Sequence, residues 1–395
     1  VSDVVTASTV TVESGNGYWI NTTSNACTIT LPASAEAGDN IVIVDFARTW
    51  GTNKVIIDSN GLNFQGNADT YTVEYTTDGQ SVNLIFSDST KGWIPLEDDV
   101  VADEPVQPPT QKAIFGYGKT SSDVSLTNLV NSSGVVAADV TGVGTARNNL
   151  AASSYGGDKA IFGYGRTNTQ VSMTNLVNNS GTVASDVSGV GTARQSLAAA
   201  SYGGDKAIFG YGTDSSLTNL VNNNGVVGSD VTGVGTARND LAAASFGGDK
   251  AIFGYGYYYS GGVVKYSLTN LVSNTGVVAA DVTGVGTARY LLAAAGYGGD
   301  KAIFGFGTTG SVTGLTNLVS NTGVVAANVS AVGTARKGLA AAGFGGDKAI
   351  FGYGTTGSLT AITNLVNSSG VVASDVSGVG TAREKPAAAG FSFSA

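Results

Sequence analysis

Short apolar runs separated by polar turns extend along the whole chain. From residue 112 onwards the runs are rich in valine, isoleucine and aromatic residues, and clusters of Gly, Asn and Ser separate them about every 8–12 residues. No segment keeps the 3.6-residue apolar period of a helix for long enough to form one. Short β-branched runs between such turns are typical of β-strands. The pattern therefore predicts an all-β protein.

The apolar pattern repeats six times after residue 111. Each copy opens with Lys-Ala-Ile-Phe-Gly, an aromatic residue and Gly, and the copies are 44–51 residues apart. They begin at Lys112, Lys159, Lys206, Lys250, Lys301 and Lys348. Three further runs, which resemble Leu-Thr-Asn-Leu-Val, Val-Val-Ala and Leu-Ala-Ala-Ala, complete a unit of four predicted strands. A repeat of this length and strand number fits one blade of a β-propeller.

The two ends of the repeat predict how it closes. No Leu-Ala-Ala-Ala run precedes Lys112, whereas residues 387–391 supply one at the end of the chain. We therefore expect the last strand to complete the first blade, which gives a six-bladed propeller without free sheet edges. The Leu-Ala-Ala-Ala run is then the innermost strand, where six blades converge and only small side chains fit.

Residues 1–95 lack this repeat. They contain six or seven short runs, such as those at 28–31 and 40–44, between Gly, Asn and Asp turns, and they predict a small all-β module. Residues 96–111 combine five acidic residues with three prolines, which favours an extended linker; a loop packed along the module is the alternative. The predicted domains are thus 1–95, the linker 96–111, and 112–395.

Composition excludes several kinds of chemistry. The chain has no histidine and a single cysteine, Cys27, so His-based catalytic triads, His zinc sites and an intramolecular disulfide are excluded. Of the 57 glycines, 49 lie in 112–395, where turns and flat faces between blades would use them. Basic residues occur mostly once per blade instead of in clusters, which argues against nucleic-acid binding. No apolar run is long enough for a membrane helix, and we expect no membrane insertion.

Charged residues recur at fixed positions of the repeat. Ten of the 13 aspartates in 112–395 do so, and Asp123, Asp214 and Asp240 do not. A group found in nearly every blade is expected to fasten strands, and Asp214 with Asp240 is the one pair that a glycosidase could use. We predict no catalytic residue, no metal site and no cofactor.

An arginine precedes each Leu-Ala-Ala-Ala run. The six are Arg147, Arg194, Arg238, Arg289, Arg336 and Arg383. One interpretation is an anion-binding ring. The favoured alternative is that each arginine caps turn carbonyls or pairs with the acid eight residues before it, as Asp139 precedes Arg147.

The copies differ mainly at two places. One is the loop between the second and third strands, and the other is the pair of residues after each arginine. In a four-stranded antiparallel blade both places lie on the same rim. Divergence on one face of a rigid scaffold predicts recognition of a ligand there, and neutral drift in exposed loops is the alternative.

The longest of these loops, 257–266, carries four tyrosines. Exposed tyrosine suits stacking on sugar rings or the centre of an interface. A ribbon that packs its own tyrosines, or a contact with another subunit, is the alternative. The predicted receptor-binding residues come from this loop and from the variable pairs: Tyr257, Tyr258, Tyr259, Tyr266, Tyr290, Asn239, Asp240 and Gln195.

The repeat resembles the kelch blade. In residues 192–212 an arginine precedes the inner strand, a Gly-Gly turn follows it, and the second strand is aliphatic, aromatic and then glycine. Gly-Tyr-Gly stands in place of the kelch double glycine, and the fourth strand has no tryptophan. The resemblance therefore implies a kelch-like six-bladed β-propeller.

Residues 1–95 resemble small β modules that recur in bacteriophage tail-fibre and adhesin proteins. The likeness rests on Ile-Thr-Leu-Pro at 29–32, Gly-Asp at 38–39 and Lys-Gly-Trp-Ile-Pro at 91–95. Such modules are commonly trimeric, so the resemblance implies a homotrimer.

Together the two resemblances imply a phage tail fibre, an extracellular structural protein of the virion. Its propeller would bind a glycan or outer-membrane receptor of the host for adsorption, and its other partners would be virion tail proteins. The alternatives are a head or neck fibre or decoration protein, a propeller enzyme that degrades polysaccharide, and a bacterial kelch-like interaction module. We expect binding without enzymatic activity.

Overall fold

The computed structural model describes residues 4–69, 73–97, 110–330 and 332–394. All the regular secondary structure in these ranges is β-strand. The predicted all-β class is confirmed. None of these residues forms a helix that could serve as a membrane span. The chain divides into two compact units, Val1–Val106 (unit 1) and Gln107–Ala395 (unit 2). Most of the predicted linker, at 98–109, lies outside the described residues.

The part of unit 1 that the structure describes forms eight strands in two four-stranded sheets with the orders β1-β3-β5-β6 and β2-β4-β7-β8. The strands are β1 (Thr9–Thr11), β2 (Gly17–Ile20), β3 (Cys27–Thr30), β4 (Asn40–Asp45), β5 (Val55–Asp58), β6 (Val73–Tyr75), β7 (Ser81–Phe86) and β8 (Trp93–Glu97). Burial alternates along β7, as the period-2 pattern requires, and the buried residues of both sheets form one core around Trp50 and Trp93.

The described residues of unit 2 form six antiparallel sheets of three strands each, one for each copy of the repeat, and one two-stranded ribbon. The first strands are β11 (Ala151–Tyr155), β14 (Ala198–Tyr202), β17 (Ala242–Phe246), β22 (Ala293–Tyr297), β25 (Ala340–Phe344) and β28 (Ala387–Phe391). The second strands are β9 (Lys112–Gly116), β12 (Lys159–Gly163), β15 (Lys206–Gly210), β18 (Lys250–Gly254), β23 (Lys301–Gly305) and β26 (Lys348–Gly352). The third strands are β10 (Thr127–Val130), β13 (Thr174–Val177), β16 (Thr218–Val221), β21 (Thr269–Val272), β24 (Thr316–Val319) and β27 (Thr363–Val366).

The last strand of the chain joins the first copy of the repeat. β28 pairs with β9, with Ala389 opposite Ile114, so the expected pairing of residues 387–391 with the first copy is present. The first strands are also neighbours from sheet to sheet: β11 lies beside β14, β14 beside β17, and so on to β25 beside β28. β28 lies in turn beside β11, so the order of neighbours is cyclic.

The prediction of a fourth strand in each copy is wrong. In the first copy, residues 135–140 join β10 only through isolated bridges, from Val130 to Val136 and from Thr127 to Val140, and the other copies repeat this arrangement. The buried side chain of Asn128 lies between the two bridges, where its Nδ2 donates to the carbonyl of Ala137 at 3.0 Å. A side chain thus replaces part of the strand ladder, and the outer edge of each sheet is irregular.

Neighbouring sheets of unit 2 pack through glycine and aromatic residues. A Cβ placed on Gly116 would lie 2.7 Å from Cζ of Phe162 in the next sheet, so a flat glycine face of the predicted kind is present at this junction. Tyr117 is not on the same face as Phe115, contrary to the alternation along the strand. Its φ of 62° takes it out of the strand, and its ring packs 5.1 Å from that of Phe162.

Candidate functional site

The two variable parts of the repeat are hydrogen-bonded to each other at one end of the sheets. Asn239, which follows Arg238, donates its backbone N–H to Tyr257 O at 2.7 Å, and Tyr257 N–H donates back at 3.0 Å. Equivalent bridges join the corresponding residues of four other copies. The predicted placement of both variable sets on one rim is confirmed. We call this rim the variable face: the pairs after each arginine and the loops 119–124, 166–171, 213–215, 257–266, 308–314 and 355–361.

The opposite end of the sheets carries the nearly invariant turns between first and second strands, and we call it the constant face. Successive turns are linked there, as when Gly156 N–H donates to Asp205 O at 2.7 Å. The chain also enters unit 2 at this end, where Gln111 O accepts a hydrogen bond from Gly345 N–H at 2.9 Å. The variable face therefore lies at the other end of the sheets from the point of entry.

The six repeated arginines are buried between neighbouring sheets. Arg147 is 0% exposed, and it donates to Tyr164 O at 2.9 Å and to Asn175 Oδ1 at 2.7 Å. Capping of carbonyls is thus confirmed, and the complete burial rules out an anion-binding ring. The pairing of Arg147 with Asp139 is wrong, because the acid nearest to Arg147 is Asp186 of the next copy, at 3.9 Å.

The repeated acids link neighbouring copies. Asp139 accepts hydrogen bonds from Thr381 through the backbone N–H at 3.0 Å and through Oγ1 at 2.6 Å. Burial alone would raise the pKa of Asp139, but hydrogen bonds from Thr381 and Asn128 lower it below its usual value. These carboxylates therefore hold the frame of unit 2 together, as expected for residues present in nearly every copy.

Four of the predicted binding residues lie together at the end of the sheet that contains β18 and at its junction with the sheet that contains β23. The rings of Tyr257 and Tyr290 are 4.9 Å apart and tilted by 59°. The buried Asn239 donates to Asp214 Oδ1 at 2.6 Å, which fixes that carboxylate beside them. Burial, followed by the negative charges of Asp240 and Asp214, raises the pKa of Tyr257 to about 12. The structure thus places two phenol rings beside two carboxylates.

The other predicted residues are more dispersed. Tyr258 and Tyr259 belong to β19 (Tyr257–Tyr259), which pairs with β20 (Val263–Lys265) in a two-stranded ribbon. Tyr259 is 60% exposed, whereas Tyr258 and Tyr266 are half-buried. Lys265 Nζ donates to Thr309 O in the neighbouring loop. The alternative of a ribbon is therefore confirmed for the backbone, although its outermost tyrosine faces solvent.

Gln195 lies one copy earlier than this cluster. Its backbone N–H donates to Thr213 Oγ1 at 3.0 Å. Its side-chain Oε1 is buried and has no hydrogen-bond partner among the described residues. The structure therefore does not bring Gln195 into contact with the tyrosine pair.

A series of five backbone hydrogen bonds surrounds the centre of the variable face, and sequence reasoning missed it. It joins the second residues after the six arginines, and all of these except Asn149 donate their N–H to the carbonyl of the one before, as from Asp240 to Ser196 at 2.9 Å. All six residues have φ between 48° and 61°. We call them the collar: Asn149, Ser196, Asp240, Leu291, Gly338 and Lys385. Among the common residues, only Asn, Asp and Gly favour this conformation. The residue types of Leu291 and Lys385 therefore do not predict a positive φ at these positions.

The collar surrounds a cavity of about 80 Å³. Its remaining lining is apolar and comes from the next residue of each copy: Leu150, Leu197, Leu241, Leu292, Leu339 and Pro386. A second cavity of about 140 Å³ is lined by all six first strands. Burial raises the pKa of Asp240 above its usual value, although a hydrogen bond with Ser196 and the charge of Lys385 partly oppose the shift.

The described residues contain no group of three or more Asp, Glu or Cys side chains suited to a metal ion. No protein-family model matches the chain, and no curated protein is significantly similar to it.

Proposed function

We propose that unit 2 is a six-bladed, kelch-like β-propeller whose variable face binds a receptor on the surface of a bacterial cell. Three observations support the propeller. The neighbours of the six sheets follow a cyclic order, β28 pairs with β9, and the alanine-rich first strands of all six sheets line one cavity. Small side chains at a point where six sheets meet are what such an architecture requires.

Confinement of the sequence differences to one face is the observation that carries the binding function. The frame is repeated closely: the aromatic pair between adjacent sheets has the same 5.1 Å separation at all six junctions. The loops and pairs of the variable face differ in length and chemistry on that constant frame. A rigid scaffold that presents divergent loops is the usual arrangement of a recognition surface.

The Tyr257 and Tyr290 pair favours a glycan as the receptor. Phenol rings stack on the apolar faces of sugar rings, while hydroxyl groups need fixed polar partners nearby. Asp214, held in place by Asn239, supplies such a partner. The proposed mechanism is binding without cleavage of the glycan.

The proposed biological role is that of a phage tail fibre in the virion, with unit 1 forming a trimer and contacting other tail proteins. The chain enters unit 2 at the constant face, at the other end of the sheets from the variable face proposed to bind the receptor. Three heads held together would gain avidity, because the second and third contacts become intramolecular.

The test is a binding screen of the labelled 395-residue protein against a panel of bacterial strains and their isolated surface polysaccharides. We expect saturable binding to a subset of strains, competition by the polysaccharide of those strains, and no release of reducing ends. Absence of specific binding to every strain contradicts the receptor function, and release of oligosaccharides contradicts binding without cleavage.

A further inference from the structure

We propose that the cavity inside the collar binds a small zwitterion, with its ammonium group at Asp240 and its anionic group at Lys385. This inference rests on the proposed function only for the biological source of the ligand, which would be a charged end group of the receptor. The binding itself is a property of the cavity and can be measured without cells.

The arrangement of the collar supplies two opposite charges across one small opening. In the order Asn149, Ser196, Asp240, Leu291, Gly338 and Lys385, the acid is third and the base is sixth, so they stand opposite each other in a ring of six. Both line the cavity. The charge of Lys385 acts on the carboxyl group of Asp240, but no ion pair within 4.0 Å joins the two side chains. The gap between the charges is therefore available to a ligand that carries both.

The surroundings strengthen the attraction for such a ligand. Five leucines and Pro386 form the rest of the lining, and a charge beside an apolar wall interacts more strongly than one in water. The side chain of Ser196, the collar residue before Asp240, favours the charged form of the Asp240 carboxyl group. Phenol rings attract cations, so the tyrosine pair on the side of Asp240 also favours an ammonium group there.

Other charges of the variable face share this polarity in part, with the acids Glu384 and Asp123 as exceptions on the side of Lys385. Asp214 lies on the side of Asp240, whereas Lys337 and Lys119 lie in the copies on either side of Lys385. A ligand with a single charge would meet attraction at one end and repulsion at the other. A divalent cation is disfavoured because the described residues contain no cluster of three carboxylate or thiol ligands.

The experiment is a calorimetric titration of the full chain with glycine, 4-aminobutyrate and 6-aminohexanoate, which differ in the separation of their charges. n-Butylamine, butyrate, n-hexylamine and hexanoate are the singly charged controls. We expect at least one zwitterion to bind about tenfold or more tightly than its singly charged analogues, as a buried charge contact implies. Equal binding of zwitterions and singly charged analogues, or no binding at all, overturns the inference.

Two variants test the assigned ends of the ligand. Asp240→Asn and Lys385→Gln are each expected to weaken zwitterion binding about tenfold or more, because each removes one charge contact. The collar conformation of Asp240 is one that asparagine adopts readily, so that variant should fold. The matched controls, Asp300→Asn and Lys301→Gln, make the same changes on the constant face and should retain the affinity of the wild type. Wild-type affinity in both collar variants, with unchanged thermal unfolding, overturns the inference.

Adsorption to cells by the same proteins separates the inference from the proposed function. Zwitterion binding by a protein that binds no strain supports the inference and counts against the receptor function alone. Specific cell binding by a protein that binds no zwitterion supports the receptor function and contradicts the inference.

Discussion

The guanidinium carbon of Arg147 lies 4.4 Å from the ring centroid of Tyr117, which follows β9 in the neighbouring sheet. The same arginine donates to the carbonyl of Tyr164 and to the side chain of Asn175 in its own sheet. One fully buried side chain therefore fastens two neighbouring sheets, and an equivalent arginine stands over an aromatic ring at each of the other five junctions.

Replacement of this arginine is expected to destabilise unit 2 strongly. Arg147→Met keeps much of the volume but leaves Tyr164 O and Asn175 Oδ1 without their donor, at a cost of roughly 3 kcal/mol in the free energy of unfolding. Urea unfolding monitored by fluorescence measures this change in the free energy of unfolding. Arg166→Met is the control, since Arg166 is exposed on the variable face and its loss should change the stability by less than about 0.5 kcal/mol. Equal effects of the two substitutions would contradict the fastening role.

A second prediction concerns the close approach of sheets at glycine. Gly116→Ala places a methyl group 2.7 Å from Phe162 Cζ, so the aromatic ring or the sheet must shift. Overpacking of this kind costs roughly 1–3 kcal/mol. The control is Gly262→Ala in the exposed ribbon turn, where an added Cβ meets no atom within 4 Å. Thermal unfolding should separate the two variants, and a Gly116→Ala protein as stable as the control would show that the junction is loosely packed.

Cell binding provides a third prediction. The double substitution of Tyr257 and Tyr290 by Ala removes the tilted ring pair and should reduce affinity for the bound strains by tenfold or more, in the range of binding hot spots. Lys301→Gln on the constant face should bind as the wild type does. Flow cytometry with labelled protein measures both, and unchanged binding by the double variant would exclude the pair as receptor contacts.

Alkaline stability provides a fourth prediction. Burial raises the pKa of Tyr164 and Tyr211 from the usual 10.0 to about 12. Between these two values the unfolded chain releases protons that the folded protein retains, so stability present below pH 10 is lost as the pH rises to about 12. Urea unfolding at a series of pH values should show this loss.

Tyr211→Phe should reduce that loss by removing one of the buried phenols. At neutral pH it should cost about 1 kcal/mol, the value of the hydrogen bond that Tyr211 donates to Val234 O. Phe306 already occupies the equivalent position of the fifth copy, so the substitution is compatible with the fold. Tyr259→Phe, an exposed control, should leave the pH dependence unchanged. An unaltered slope for Tyr211→Phe would contradict the assignment.

The sequence predicted those features that depend on pattern along one copy. Local runs and their order predict the strands, the pairing of residues 387–391 with the first copy, and the adjacency of the two variable sets. The absence of the fourth strand could not be predicted. Nothing in the sequence shows that the side-chain amide of Asn128 donates a hydrogen bond to Ala137 O and interrupts the strand pairing. The partner of Arg147 was also missed, since the nearest acid in space belongs to the next copy.

The collar was beyond sequence reasoning for a different reason. Its positive φ values are imposed on Leu291 and Lys385 by the links around the ring and not by the preferences of those residues. A charged pair drawn from distant parts of the chain, Asp240 and Lys385, then lines the same cavity. Such a site becomes visible only when the order of the sheets is known.

The contacts at the sheet junctions of unit 2 also bear on how its variable face can change. The arginine, asparagine and aromatic residues at these junctions are nearly the same in every copy, so a loop moved from one copy to another would meet nearly the same neighbours. Recombination between copies, in register, would exchange loops without rebuilding the frame. Such an exchange would alter a whole loop of the variable face in one step, because the contacts that hold the junctions together do not involve the loop residues.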